Sequence, residues 1–195
     1  MMRIVAGGYV RPMPGETVAG DGWLVEPCAR GVIVAAADGL GHGPEAAKAA
    51  SAFLDCVRAC RDQPLPALFA TAQDALRKTR GAVAVVARFD EHDERVEIAG
   101  VGNITPLIAS FGREARLVVV PVGFVGGTLR TVRPQWLDFR EGDLLLLHSD
   151  GVRPRFELAP LRSLPPAELA RKVVSTYGSA SDDATCLVAL SERVP

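Results

Sequence analysis

Four aspartates stand where an apolar run begins or ends, each beside a glycine or another turn-forming residue. Asp21 lies in Gly20-Asp21-Gly22-Trp23, and Asp38 closes the apolar run 32–37. Asp150 follows Leu144-Leu145-Leu146-Leu147-His148-Ser149, and Asp182-Asp183 precedes the run that starts at Ala184. A carboxylate just past a buried strand is rigidly held yet reaches the sheet edge, where several can converge on one point. Converging carboxylates repel one another unless a cation neutralises them, and an all-oxygen donor set suits a hard divalent ion, Mg2+ or Mn2+. Gly39, without a Cβ, lets a backbone carbonyl approach such an ion, and Gly41 and Gly43 extend the permissive loop. Singly, each site reads as a common turn. Together the four point to a metal centre.

Other polar residues read more plainly. Asp183 neighbours Asp182 on the opposite face of an extended segment, so it is expected to orient the turn or hold water and not to ligate. His42 reads either as a loop histidine bonded within its own turn or as a donor to a phosphate or an acid near the metals, and His148 as packed and hydrogen-bonded inside an apolar strand. Asn103 sits in a glycine-flanked turn, where asparagine tolerates left-handed backbone. The four cysteines, Cys28, Cys56, Cys60 and Cys186, contain no C-x-x-C pair and read as buried thiols. Cys56 and Cys60 share one face of a helix.

The elements that must position these groups follow from periodicity and turn chemistry. The run 31–37 is apolar and β-branched at its start, which predicts a buried strand leading into Asp38-Gly39. Helices are predicted from Glu45 to about Arg61, from Pro66 to Arg80 and from Pro166 to Tyr177, the first two as a hairpin and the third capped by a left-handed Gly178. Strands are predicted at Ala82–Phe89, Arg95–Val101, Thr105–Ser110, Arg116–Val120, Gln135–Phe139, Asp143–His148 and Ala184–Leu190. Turns such as Asp90-Glu91-His92-Asp93, Gly112-Arg113-Glu114 and Glu141-Gly142-Asp143 suit antiparallel hairpins. This is an α+β order, most economically two stacked sheets covered by helices.

Composition narrows the function. The chain has 195 residues, 48% of them hydrophobic and 23% charged, enough to build a core and too apolar for a disordered chain. We expect a single domain over residues 1–195. Twenty-two basic residues against 23 acidic ones give a formal charge of −1, with no long run of one sign, so neither nucleic acid nor an acidic membrane is expected as a partner. The apolar run ahead of Gly7-Gly8 is too short for a secretion signal, and no stretch reaches the ~18–20 apolar residues of a membrane span. A cytoplasmic protein is expected.

Five ordered motifs carry a family resemblance: Gly20-Asp21, Asp38-Gly39-Leu40-Gly41-His42-Gly43, Gly100-Val101-Gly102-Asn103, Ser149-Asp150-Gly151-Val152 and Ser181-Asp182-Asp183-Ala184-Thr185. The sequence resembles the PPM-type metal-dependent protein serine/threonine phosphatases, most closely their SpoIIE-like bacterial branch. The resemblance implies an α-β-β-α sandwich, two central antiparallel sheets flanked by helices. It also implies a binuclear Mn2+ or Mg2+ centre in which Asp38 bridges the ions, Asp150 and Asp182 complete one, and Asp21 with the carbonyl of Gly39 serves the other. Asp38 would thereby activate water for in-line attack on phosphorus, without a phosphoenzyme.

Compact length and the opening Arg11-Pro12-Met13-Pro14-Gly15-Glu16 resemble stressosome phosphatases within that branch, implying phosphorylated STAS-domain proteins as substrates of a chain that acts as a monomer. The competing readings are a phosphatase of a phosphorylated anti-anti-sigma factor and a non-catalytic module that binds a switch protein through Glu45–Arg80. The full aspartate set argues against the second. Many family members carry an arginine a few residues before the first aspartate to hold the substrate phosphate; here Arg11 is ten residues upstream of Asp21. The SpoIIE-like branch commonly lacks it, implying that docking of the substrate protein supplies orientation. Arg153 and Arg155, after Asp150-Gly151-Val152, read as a solvated turn.

Overall fold

A computed structural model describes residues 2–110, 114–129, 131–154 and 157–193. One sheet runs β1 (Met2–Arg11), β10 (Ala184–Arg193), β9 (Leu144–His148), β6 (Thr105–Ala109) and β7 (Arg116–Leu117), in that spatial order. The other runs β2 (Asp21–Cys28), β3 (Gly31–Gly39), β4 (Ala82–Asp90), β5 (Arg95–Val101) and β8 (Gln135–Asp138). Neighbouring strands in both sheets pair antiparallel. Three helices, α1 (Pro44–Ala59), α2 (Leu65–Ala75) and α3 (Pro166–Tyr177), cover the outer faces.

Alternation along the strands sorts the layers, because successive side chains point to opposite faces. Val34 and Ala36 of β3, with Val83, Val85 and Ala87 of β4, pack against Leu145, Leu147, Leu187 and Ala189 of the facing sheet. The intervening Ile33, Ala35 and Ala37, with Ala82, Ala84 and Val86, turn outward onto Phe53, Val57, Leu68 and Phe69 of α1 and α2. Leu144, Leu146, Cys186 and Val188 turn the other way onto Leu169, Val173 and Val174 of α3. Strands covered on both faces must be apolar at every position. That is why the run 31–37 shows no polar alternation.

The predicted α+β sandwich is therefore observed, with local differences. β1 and β2 were not predicted as strands. Gly7 and Gly8 weaken the strand signal of β1, yet a Cβ on Gly7 would lie 2.9 Å from Cβ of Ala167, and one on Gly8 2.6 Å from the Trp23 ring. Pro27 interrupts β2, which tolerates it as an edge strand. Helix α2 stops at Ala75 and not Arg80, because the Thr79 hydroxyl takes the carbonyl of Leu76 at 2.8 Å and so offers the backbone a turn. Gly178 ends α3 in extended conformation (φ −66°, ψ 137°), not left-handed, while its N–H still reaches the carbonyl of Val174. The strand expected at Arg116–Val120 is only Arg116–Leu117, after which Val118 makes a lone bond to the carbonyl of Pro106. The turn 112–114 and Arg155 fall wholly or partly outside the described residues.

Candidate metal centre

Register brings the first two aspartates together. Asp21 opens β2 and Asp38 stands one residue from the end of β3, and the antiparallel pairing sets them directly opposite each other. Both share the face of Trp23 and Ala36, which looks toward the other sheet, at the edge where the apolar pairs stop. The facing sheet supplies the rest. Ser149 and Asp150 follow β9, Asp182 and Asp183 precede β10, and the ladder between these strands continues through the Ser149 N–H to the carbonyl of Thr185 at 3.1 Å. Across the gap between sheets, the Ser149 hydroxyl donates to Oδ2 of Asp21 at 2.7 Å.

The electrostatics record this convergence. Burial, then the carboxylates of Asp21, Asp150 and Asp182, push the Asp38 carboxyl up to about 9. Asp21 is pushed up to about 6, chiefly by burial, with the Ser149 hydroxyl offsetting part of the cost. Asp182 is raised by burial and by Asp150 and Asp183, although the Asp183 N–H donates to its Oδ1 at 2.9 Å. The groups acting on Asp38 are thus carboxylates, so ionising it there is costly without an external cation. An all-oxygen, partly buried and over-charged set of this kind fits Mg2+ or Mn2+. Among the described residues no three carboxylate, imidazole or thiolate groups are closed up into a preformed cage.

A pH dependence follows. Both carboxyls titrate higher in the folded chain than the ordinary 3.8, so between these values the native state binds more protons than the unfolded one. The stability they contribute is present at acid pH and lost as pH rises through about 6 and about 9. In chelator, unfolding free energy should fall as pH rises from 5 to 9 from this pair. Urea denaturation across that range checks it, and a flat profile would contradict it.

The surrounding residues include some whose importance was not expected from sequence. Asp183 is buried and accepts the backbone N–H of Met13 and of Gly20, each at 2.7 Å, and so straps the loop that delivers Asp21. That agrees with an orienting role. Asn103, expected only to shape its turn, also donates from Nδ2 to Oδ2 of Asp150 at 2.7 Å. Its signal in the sequence was the glycine before it: Gly102 has φ +104° and its N–H bonds the carbonyl of Pro121 at 2.8 Å, fixing the turn. Asn103→Ala should weaken Mn2+ binding about tenfold, read by calorimetry on the metal-free chain, because groups that orient a ligand contribute on that scale.

His42 pairs with Glu16 of the strapped loop at 2.8 Å and not with its own turn, and His148 is buried with Nδ1 2.9 Å from the carbonyl of Ser149. Arg11 donates through one Nη to the carbonyl of Ser179, and Arg153 through its Nε to that of Tyr177.

Comparison with known proteins agrees with this geometry. Residues 29–191 match the family described as Stage II sporulation protein E (SpoIIE). The phosphoserine phosphatase RsbX of Bacillus subtilis (strain 168) is 23% identical over 138 residues, 71% of this chain and 69% of that one. A crystal structure of RsbX in complex with magnesium superposes with a TM-score of 0.85 at 20% identity, over 98% of this chain and 100% of the other. A structure described as "The bacterial stressosome: a modular system that has been adapted to control secondary messenger signaling" gives 0.90 at 34% identity, over 96% and 99%. The catalytic domain of the serine threonine protein phosphatase PstP, in complex with 2 manganese ions, gives 0.79 at 17% identity, over 99% and 100%.

Proposed function

The chain belongs to the SpoIIE family of PP2C-type phosphatases, and from that premise we propose that it is a Mn2+- or Mg2+-dependent protein serine/threonine phosphatase acting on phosphorylated STAS-domain proteins of a stressosome. The observation that carries the metal dependence is the raised Asp38 carboxyl, ringed by Asp21, Asp150 and Asp182. In this reading Asp21, Asp38, Asp150, Asp182 and the Gly39 carbonyl would hold the ions, with Asp38 as the shared ligand. Bound divalent cations lower the pKa of water and polarise a phosphoryl group.

The chain's own residues do the positioning. Ser149 fixes the Asp21 carboxylate by its hydroxyl, Asn103 fixes that of Asp150, and Asp183 keeps the loop 13–20 against the last strand. Residues 1–195 act as one domain. The enzyme is proposed to act as a cytoplasmic monomer; among the described residues no helix is long and apolar enough to cross a membrane.

The stressosome assignment rests on likeness to RsbX and to the stressosome structure. The test is incubation with Mn2+ and, separately, a phosphorylated STAS-domain scaffold protein and a phosphorylated anti-anti-sigma protein. The scaffold should lose its phosphate first. Equal release from both would remove the stressosome assignment, and release that persists in chelator would remove the metal mechanism.

A further inference from the structure

A phosphate dianion approaching a cluster of carboxylates is held more firmly where a cationic side chain faces it. Arg11 and Arg153 donate to backbone carbonyls, and Arg77 pairs with Asp74 at 3.0 Å. Arg80 differs. It lies between α2 and β4, beside the metal loop: the Leu40 N–H bonds the carbonyl of Gly81 at 3.0 Å, and Gly39 pairs with Ala82 in the sheet register. Its Nη1 stands 2.7 Å from where a Cβ on Gly41 would be.

Gly41, at φ +94°, thus lacks the very atom that would collide with the guanidinium. Arg80 is exposed, and among the described residues its side chain takes part in no hydrogen bond or ion pair. An uncommitted planar cation lies against the loop that follows Asp38.

We propose that Arg80 is the residue that binds the phosphoryl group of the substrate, entering from the α2–β4 junction through space left open by Gly41. The assignment rests on the phosphatase reading above. A guanidinium offers two parallel N–H donors to phosphate oxygens, so arginine and lysine are not equivalent at such a position. The role is substrate binding, not metal binding, and the two separate experimentally.

The test compares Arg80→Ala, Arg80→Lys and the control Arg77→Ala, all loaded with Mn2+. Inorganic phosphate binding is measured by calorimetry, and KM and kcat with para-nitrophenyl phosphate and the phosphorylated STAS-domain scaffold. Arg80→Ala should weaken phosphate binding and raise KM about tenfold or more, with kcat changed far less and Mn2+ affinity unchanged. Arg80→Lys should recover part of the loss, and Arg77→Ala should match the wild type. Unchanged phosphate affinity in Arg80→Ala, or loss of Mn2+ binding along with it, overturns the assignment while an active wild type leaves the phosphatase reading standing. A Mn2+-loaded wild type that releases no phosphate from either substrate sinks the reading itself, and the assignment with it.

Discussion

Asp38→Asn is expected to abolish turnover and, in the same chain, to raise the stability of the metal-free fold. The amide keeps the size and the hydrogen-bonding capacity of the carboxyl but carries no charge. With Asp38 neutral, cation binding loses its shared donor, and phosphate release should fall about a thousandfold, the scale on which a centrally placed electrostatic group contributes. Stability moves the other way. Burial and the charges of Asp21, Asp150 and Asp182 all oppose ionisation at this position, and the substitution removes the penalty.

A gain of about 1–2 kcal/mol at pH 8 in chelator is expected, typical of substitutions that relieve a strained functional site. Saturating Mn2+ should reverse the order, since ligand that binds only the folded state stabilises it by mass action and favours the wild type. Urea unfolding with and without metal, beside a turnover assay, reads both effects. Full activity in the variant would exclude Asp38 from the chemistry. A metal-free variant weaker than the wild type would mean that some favourable contact, not repulsion, governs this carboxyl.

Gly39→Ala and Gly151→Ala should each unfold the protein outright or cost about 3–5 kcal/mol, among the largest single-substitution effects expected from overlap in a packed interior. Both glycines follow a site aspartate, and each Asp-Gly pair looks like an ordinary turn. The reason for glycine is different. A Cβ on Gly39 would lie 1.9 Å from the carbonyl oxygen of Ala46 in α1, and one on Gly151 would lie 1.7 Å from that of Asp183. Neither can be relieved by rotating a side chain, because the obstacle in each case is backbone. Gly39 also stays in β3, where its N–H meets the carbonyl of Gly20 at 3.0 Å. Expression level and denaturation midpoints check the expectation, with Gly142→Ala as a comparison for backbone strain alone, because φ there is +79° and a Cβ meets nothing within 4 Å. Wild-type midpoints for both variants would show that α1 and the Asp183 segment can yield.

Much of this architecture was legible because the strong signals were also local. The apolar run before Asp38, helices α1 and α3 and the Leu144–Leu147 run became elements close to their expected bounds. β1 and β2 were not legible, since Gly7, Gly8 and Pro27 are locally poor strand residues. Only α3, Trp23 and the edge position of β2, all remote in sequence, explain them. The site shows the same division. Asp21, Asp38, Asp150 and Asp182 were singled out by their places at strand ends, and their carboxylates act on one another in the fold. Asn103 and Arg80 depend on partners 47 residues distant, in the first case, and on an absent side chain in the second. The glycine before Asn103 marks its turn, but nothing local to either residue names its partner.

Two of the four crossings between the layers lie beside the aspartates, the segment from β1 to β2 and Gly102-Asn103 between β5 and β6. Each crossing is moored there by an acidic group, the first by Asp183 and the second, through Asn103, by Asp150. At the far end the chain crosses again between β8 and β9, beside the Phe89–Phe139 stack, centroids 4.9 Å apart. That margin is fastened by chain and oily packing, the other by a clasp of acidic groups, and the clasp is where the proposed chemistry lies. Whatever loosens the clasp lets the leaves part on the working side first, so wear on the catalyst and wear on the scaffold begin at the same spot.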